Sequence, residues 1–212
     1  MFIPRQPVVE NQFCKYASQT DVDSGVGASL CEAGAVLYLD SSATDQDAIV
    51  KRYSTRAAGD YDNAPFGLAM QRVKTGYHAV MPTGAVMPGD LGSSDVIAQP
   101  SYNSNGEING TSRAPLAVAH LGIWDTTHYV CQHTDNTVSD GDHMKPGQSL
   151  YAACNNGSRL TNHGSTATDD SLDYERINTD VVAKVVVGAS AGKCSANIAN
   201  TTLYPVRIKL LV

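Results

Sequence analysis

The chain has 212 residues, of which 42% are hydrophobic and 17% charged, and a formal net charge of −6. That length suits one domain or two small ones, and so low a charged share excludes an acidic disordered chain. Gripping nucleic acid through phosphates needs a basic face, and a membrane-spanning helix needs about 18 successive apolar residues; the composition offers neither.

The first residues, Met1 to Pro7, carry no basic n-region and no apolar h-region, so they do not read as a secretory signal. A chain that is not exported is the matching expectation. The sequons at Asn109, Asn156 and Asn200 then carry no weight. Cys14, Cys31, Cys131, Cys154 and Cys194 are odd in number, widely spaced and without a CxxC. They read as free buried thiols, not as a zinc site.

Residues 1–25 are read as an extended N-terminal arm. Pro4 and Pro7 lack amide donors and fix φ. Phe2, Ile3, Val8 and Val9 are therefore apolar in a stretch that cannot be a regular helix. Such a stretch either frays or lies on a neighbouring subunit. On the second reading Phe2, Ile3, Pro4, Pro7, Val8 and Val9 are the assembly-interface residues. Deleting residues 1–9 is then expected to leave a folded chain that no longer binds its assembly.

From residue 34 the apolar period is two. Strands are expected over Ala35–Asp40, Ala48–Tyr53, Phe66–Val73 and Tyr77–Met81, separated by turn residues. Residues 82–113 are rich in Pro and Gly and too long for an idle loop, so they are expected as a surface excursion. Strands resume at Leu116–Trp124 and His128–His133. They continue at Gln148–Cys154, Arg159–Asn162, Val181–Val187 and Tyr204–Val212. In the last, Val206, Ile208 and Leu210 point one way, and Arg207 and Lys209 the other. The expected fold is mainly β, with one or two small barrel or sandwich subdomains, long loops and the arm. The first subdomain is placed at 26–113 and the second at 114–212.

A faint repeat runs through both halves. Gly34-Ala-Val-Leu37-Tyr38 echoes Gly147-Gln-Ser-Leu150-Tyr151. Each is followed by a polar turn, a second strand, an apolar strand (Phe66 to Met70; Val181 to Val187) and a closing strand (Tyr77–Met81; Tyr204–Val212).

Catalytic and metal motifs fare poorly. Gly188-Ala-Ser190-Ala-Gly192 matches G-x-S-x-G after a strand. No Asp, Glu or His follows Ser190, as the hydrolase order requires. Gly188 to Lys193 is one residue short of a P-loop and has Cys194 where a hydroxyl belongs. His133, Asp135, Asp140, Asp142 and His143 are dense in ligand types but miss EF-hand spacing, with Val138 at a ligand position. They read as a solvated acidic loop, and whether they hold an ion is left open. No enzyme activity, catalytic residue, metal or cofactor is expected.

The segments Lys145-Pro-Gly-Gln-Ser-Leu-Tyr-Ala-Ala, Asn155-Asn-Gly-Ser-Arg-Leu-Thr, VVAKVVVGASAG and YPVRIKLLV look like the small β-barrel decoration (cement) proteins of tailed bacteriophage heads. The run AGAVLYLD, PFGLAM, YHAVM is similar. The resemblance spans about two thirds of the chain and shows a style of β-module, not a signature. It implies a virion structural protein on the capsid exterior, a homo-oligomer with a trimer favoured. The implied partner is the major capsid protein of the same virion, with neither nucleic acid nor membrane. Residues 82–113 have no counterpart in the simplest such proteins. The alternatives are another virion component (head fibre, neck or tail protein) or a carbohydrate-binding β-sandwich. The sandwich needs an aromatic platform or a calcium site, and Trp124 is the only Trp.

Overall fold

The structure is a computed structural model. It describes residues 2–5, 11–16, 29–40, 49–53, 63–74, 91–92, 101–102, 108–109, 116–130, 144–153, 158–164, 176–189 and 204–212; for some strand residues, Pro4 and 11–16 among them, it describes the backbone alone. Among these residues there is no helix, and the fold is mainly β. In chain order the strands are β1 (Phe2–Pro4), β2 (Asn11–Tyr16), β3 (Ser29–Cys31), β4 (Val36–Leu39), β5 (Ile49–Arg52) and β6 (Pro65–Ala69). Next come β7 (Val73–Lys74), β8 (Leu91–Gly92), β9 (Ser101–Tyr102), β10 (Ile108–Asn109), β11 (Leu116–Ala119) and β12 (Ile123–Thr126). The last are β13 (Tyr129–Val130), β14 (Ser149–Ala152), β15 (Leu160–Thr161), β16 (Ala183–Val187) and β17 (Val206–Leu210).

Strands β11-β2-β5-β4-β6 form a closed barrel, and a seven-stranded sheet has the order β1-β12-β17-β16-β14-β15-β13. That sheet also curls. Strands β12 and β13 stand near its opposite ends, yet only Thr127 and His128 separate them in the chain. The pairing rules of the two units coincide. In the first, β2 runs antiparallel to β11 with its first half and parallel to β5 with its second. In the second, β12 runs antiparallel to β17 and β13 parallel to β15. Within each, β4 or β14 lies between its two antiparallel neighbours.

The repeat extends to single hydrogen bonds. Gly34 and Gly147 both take positive φ, +93° and +87°, a region costly to residues with a Cβ. The Gly34 amide donates to the carbonyl of Ala69, and that of Gly147 to Val185. Ala69 N–H returns a bond to Ala35, and Val185 N–H to Gln148. A glycine turn thus launches the corresponding strand in each unit, and Gly-x-x-Leu-Tyr is the sequence trace of that turn.

Boundaries differ from the sequence reading in several places, and the expected Phe66–Val73 strand is two, β6 and β7, in different sheets. Strand β2 lies inside the expected 1–25 arm but belongs to the first barrel. Strand β11 lies beyond 113 yet pairs with β6 and β2, so it closes the first unit. The Leu116–Trp124 run is two strands, because the chain bends at His120–Gly122 and passes from one unit to the other. Tyr77–Met81, expected as the first closing strand, lies outside the described residues, as does most of 82–113.

The core has two parts. Leu37, Val50, Ala69, Val73, Leu116, Val118, Ala35 and Cys31 fill the first barrel. The larger part joins the interior of the second unit, with Trp124, Tyr129, Leu150, Leu160 and Ile208, to the outer face of the first, with Val36, Tyr38, Leu68 and Ala119. Strand β4 is thus buried on both faces from Val36 to Tyr38, which is why Ala35 to Tyr38 reads as a continuous apolar run, while Leu39 at its end is exposed. In the second unit the register-equivalent positions are Ser149, Tyr151, Lys184 and Lys209. There the outer face is polar, and β17 alternates as expected: Val206, Ile208 and Leu210 are buried while Lys209 is exposed.

Candidate assembly surface

Strand β1 is the edge of the seven-stranded sheet. Phe2, Ile3 and Pro4 pair with Thr126, Asp125 and Trp124, and the Arg5 amide donates to Ile123 O at 2.7 Å. The Phe2 ring lies on the Trp124 indole, with centroids 4.2 Å apart and planes 2° from parallel. Trp124 is fully buried, and its Nε1 donates to Leu121 O at 3.1 Å. A Cβ at Gly34, in the first unit, would approach both Thr126 Oγ1 and the Phe2 ring. Phe2 therefore sits where the two units meet.

The next position carries charge. Arg5 Nε donates to Asp125 Oδ2 at 2.6 Å, and Arg207 donates from Nε to Oδ1 at 2.9 Å and from Nη2 to Oδ2 at 3.3 Å. The Arg207 hydrogen bond, then that of Arg5, holds the Asp125 carboxyl below its ordinary range against the opposing effect of burial. The same bond raises the Arg207 guanidinium. Two cations on one carboxylate leave this corner net positive.

Further across the outer face, Lys184 and Lys209 are direct cross-strand partners. Like charges so placed oppose the pairing. Lys184 Nζ donates to Ser149 Oγ at 2.7 Å, and the guanidinium of Arg176 stacks over Tyr151, 4.7 Å from the ring centroid. Val186 and Val187 are exposed at a bulge in β16. A chain of net charge −6 thus presents Arg5, Arg207, Lys209, Lys184 and Arg176 on one sheet face.

Of the expected interface residues, Phe2, Ile3 and Pro4 lie in β1, while Pro7, Val8 and Val9 lie outside the described residues, as do His133, Asp135, Asp140, Asp142, His143 and Ser190. Among the described residues no group of three or more His, Cys, Asp or Glu is placed to hold a metal, and no helix is long and apolar enough to cross a membrane. Gly188 is explained by packing: a Cβ there would overlap the Met144 carbonyl, and Met144 bridges Ala189. Cys31 is a buried free thiol, and burial pushes its pKa up to about 12.

The sequence reading missed Asp125 and Arg5. Asp125 directly follows the Leu116–Trp124 run, at the edge of the expected strand, and nothing local links it to residues 120 and 82 positions away. The outward direction of Arg207 and Lys209 was the available signal. No family model matches the chain, and neither a curated relative nor a solved structure was found to be similar to it.

Proposed function

We propose that this protein is a virion structural protein, a decoration (cement) protein that binds the outside of an assembled phage head and stabilises it. The reading rests on the resemblance of its β-modules. The observation that carries it furthest is the cationic outer face of the second unit. Lys184 opposite Lys209 places like charges against each other within the sheet, but a row of cations suits an acidic surface on a neighbouring protein.

The mechanism is mechanical. A protein that binds the assembled shell and not its separated subunits shifts the equilibrium toward the shell by mass action. A homo-oligomer, with a trimer favoured, presents the face several times at a symmetry axis, and avidity multiplies weak contacts. The major capsid protein is the partner, and the capsid exterior is the location.

The test is co-sedimentation of the purified chain with heads lacking it, at low and high salt, beside a Lys184→Glu, Lys209→Glu double variant. Saturable binding that weakens with salt and with the double variant is expected. Absence of binding to heads, with density for the chain at the neck, tail or a fibre in electron microscopy of native particles, would replace this reading by another virion role.

A further inference from the structure

We propose that the groove on β12 that seats residues 2–5 also takes that segment from a second copy of this chain, so that copies are joined by exchange of β1. The inference deepens the self-association part of the reading above and rests on it, but it does not depend on attachment to a shell.

The partners of residues 2–5 lie far away in sequence: Phe2 on Trp124 and beside Gly34, Ile3 and Pro4 paired to β12, and Arg5 on Asp125 and Ile123. The strand that follows it, β2, belongs to the other unit. Residues 6–10 thus link elements of different units, and the same slot on a neighbouring molecule offers β1 identical contacts. Exchange of an identical element costs no contacts and is a low-cost route to oligomers.

The groove is specific. It combines a flat indole for one aromatic ring, a carboxylate for one guanidinium, and main-chain groups of β12 for an extended backbone. These are the parts of strand addition, with side-chain anchors that select the strand. A three-residue edge strand opens more readily than a core strand, so the slot becomes accessible without unfolding either unit. Pro4 and Pro7 stiffen the segment and reduce the entropy lost when it is ordered on a neighbour. Donor and acceptor are different surfaces, so exchange closes either reciprocally in a pair or cyclically in a ring.

The experiment uses the full-length chain with the photoreactive residue benzoylphenylalanine in place of Phe2, mixed with an equal amount of unsubstituted chain labelled with heavy nitrogen. After equilibration and irradiation, crosslinked peptides are read by mass spectrometry. Exchange predicts crosslinks from the light N-terminal peptide to heavy peptides containing residues 123–126, in a fraction that rises with concentration. Crosslinks confined to single light chains, in a sample that sedimentation shows to be oligomeric, would overturn exchange and leave self-association standing. Light-only crosslinks in a monomer at every concentration would overturn both. If the position-2 chain fails to fold, the same residue in place of Ile3 gives the same readout.

Discussion

Ser158 meets Val36 twice. Its carbonyl accepts from the Val36 amide at 2.8 Å, and its hydroxyl donates back to the Val36 carbonyl at 2.5 Å. The same hydroxyl accepts from the Tyr53 amide at 3.3 Å, and Tyr53 OH reaches the Asn63 carbonyl that Asn178 also contacts. A fully buried serine of the second unit thus satisfies main-chain groups of the first while holding φ at +59°.

Ser158→Ala removes the hydroxyl and keeps the unfavourable φ. Leaving buried groups unsatisfied costs about 1–3 kcal/mol. Ser158→Gly loses the same bonds but takes positive φ freely, which returns roughly 1 kcal/mol. Urea denaturation should therefore rank wild type above Gly, and Gly above Ala. An alanine variant as stable as wild type would show that the bonds between units are energetically idle.

Asp125 makes stability depend on acidity. Its folded pKa lies below its unfolded value, so the unfolded chain binds the proton first as pH falls. The stabilisation is complete above the unfolded value of about 3.9 and is lost as pH drops through the folded one. The stability difference between wild type and Asp125→Asn should be constant near neutrality and shrink below about pH 4. Arg5 and Arg207 are 45% and 40% exposed, so salt should reduce the difference. A difference that persists unchanged into acid would remove Asp125 from the account.

Cys31 gives the opposite slope. Its folded pKa is raised to about 12, so its contribution is complete below the unfolded value of about 8.5 and declines as pH rises toward the folded one. The thiolate is the reactive form. Iodoacetamide at pH 8 should leave the Cys31 peptide unmodified in the native protein and alkylate it fully in denaturant. Labelling of native protein at the denatured rate would mean that the site opens.

Much of the fold was legible because alternation survives wherever one face is wet, as in β17. The two-faced burial of β4 also left its mark, as an unbroken apolar run. Glycines 34 and 147 announced the repeat, since the turn they make tolerates little else. Strand partners across units were not legible. That β11 closes the first barrel while β12, four residues on, opens the second is decided by tertiary pairing. Nor does any local pattern reveal that Phe2 finds Trp124.

That stack changes what removing residues 1–9 should do. Deletion strips Phe2 from Trp124 and Arg5 from Asp125, so a thermal melt should fall. Partial loss of one aromatic side chain and its ring pairing is worth about 2–4 kcal/mol, and each kcal/mol moves the midpoint of a chain this size by about 2–4 °C. An unshifted melt would show that β1 contributes nothing to its own chain's stability.

The outer faces of the two repeats decide which of them another barrel can cover. The first is covered because its positions are Val36, Tyr38, Leu68 and Ala119. A second repeat with the same apolar set would invite a barrel from another molecule, and that one a third. Head-to-flank docking of this kind has no closure and propagates as a filament, much as a solenoid without a polar terminal repeat loses solubility. Ser149, Lys184 and Lys209 thus act as a chain terminator written into the second copy. Restoring the first repeat's residues, with Ser149→Val, Lys184→Leu and Lys209→Ala, should turn a discrete species into one whose light scattering grows with time and concentration.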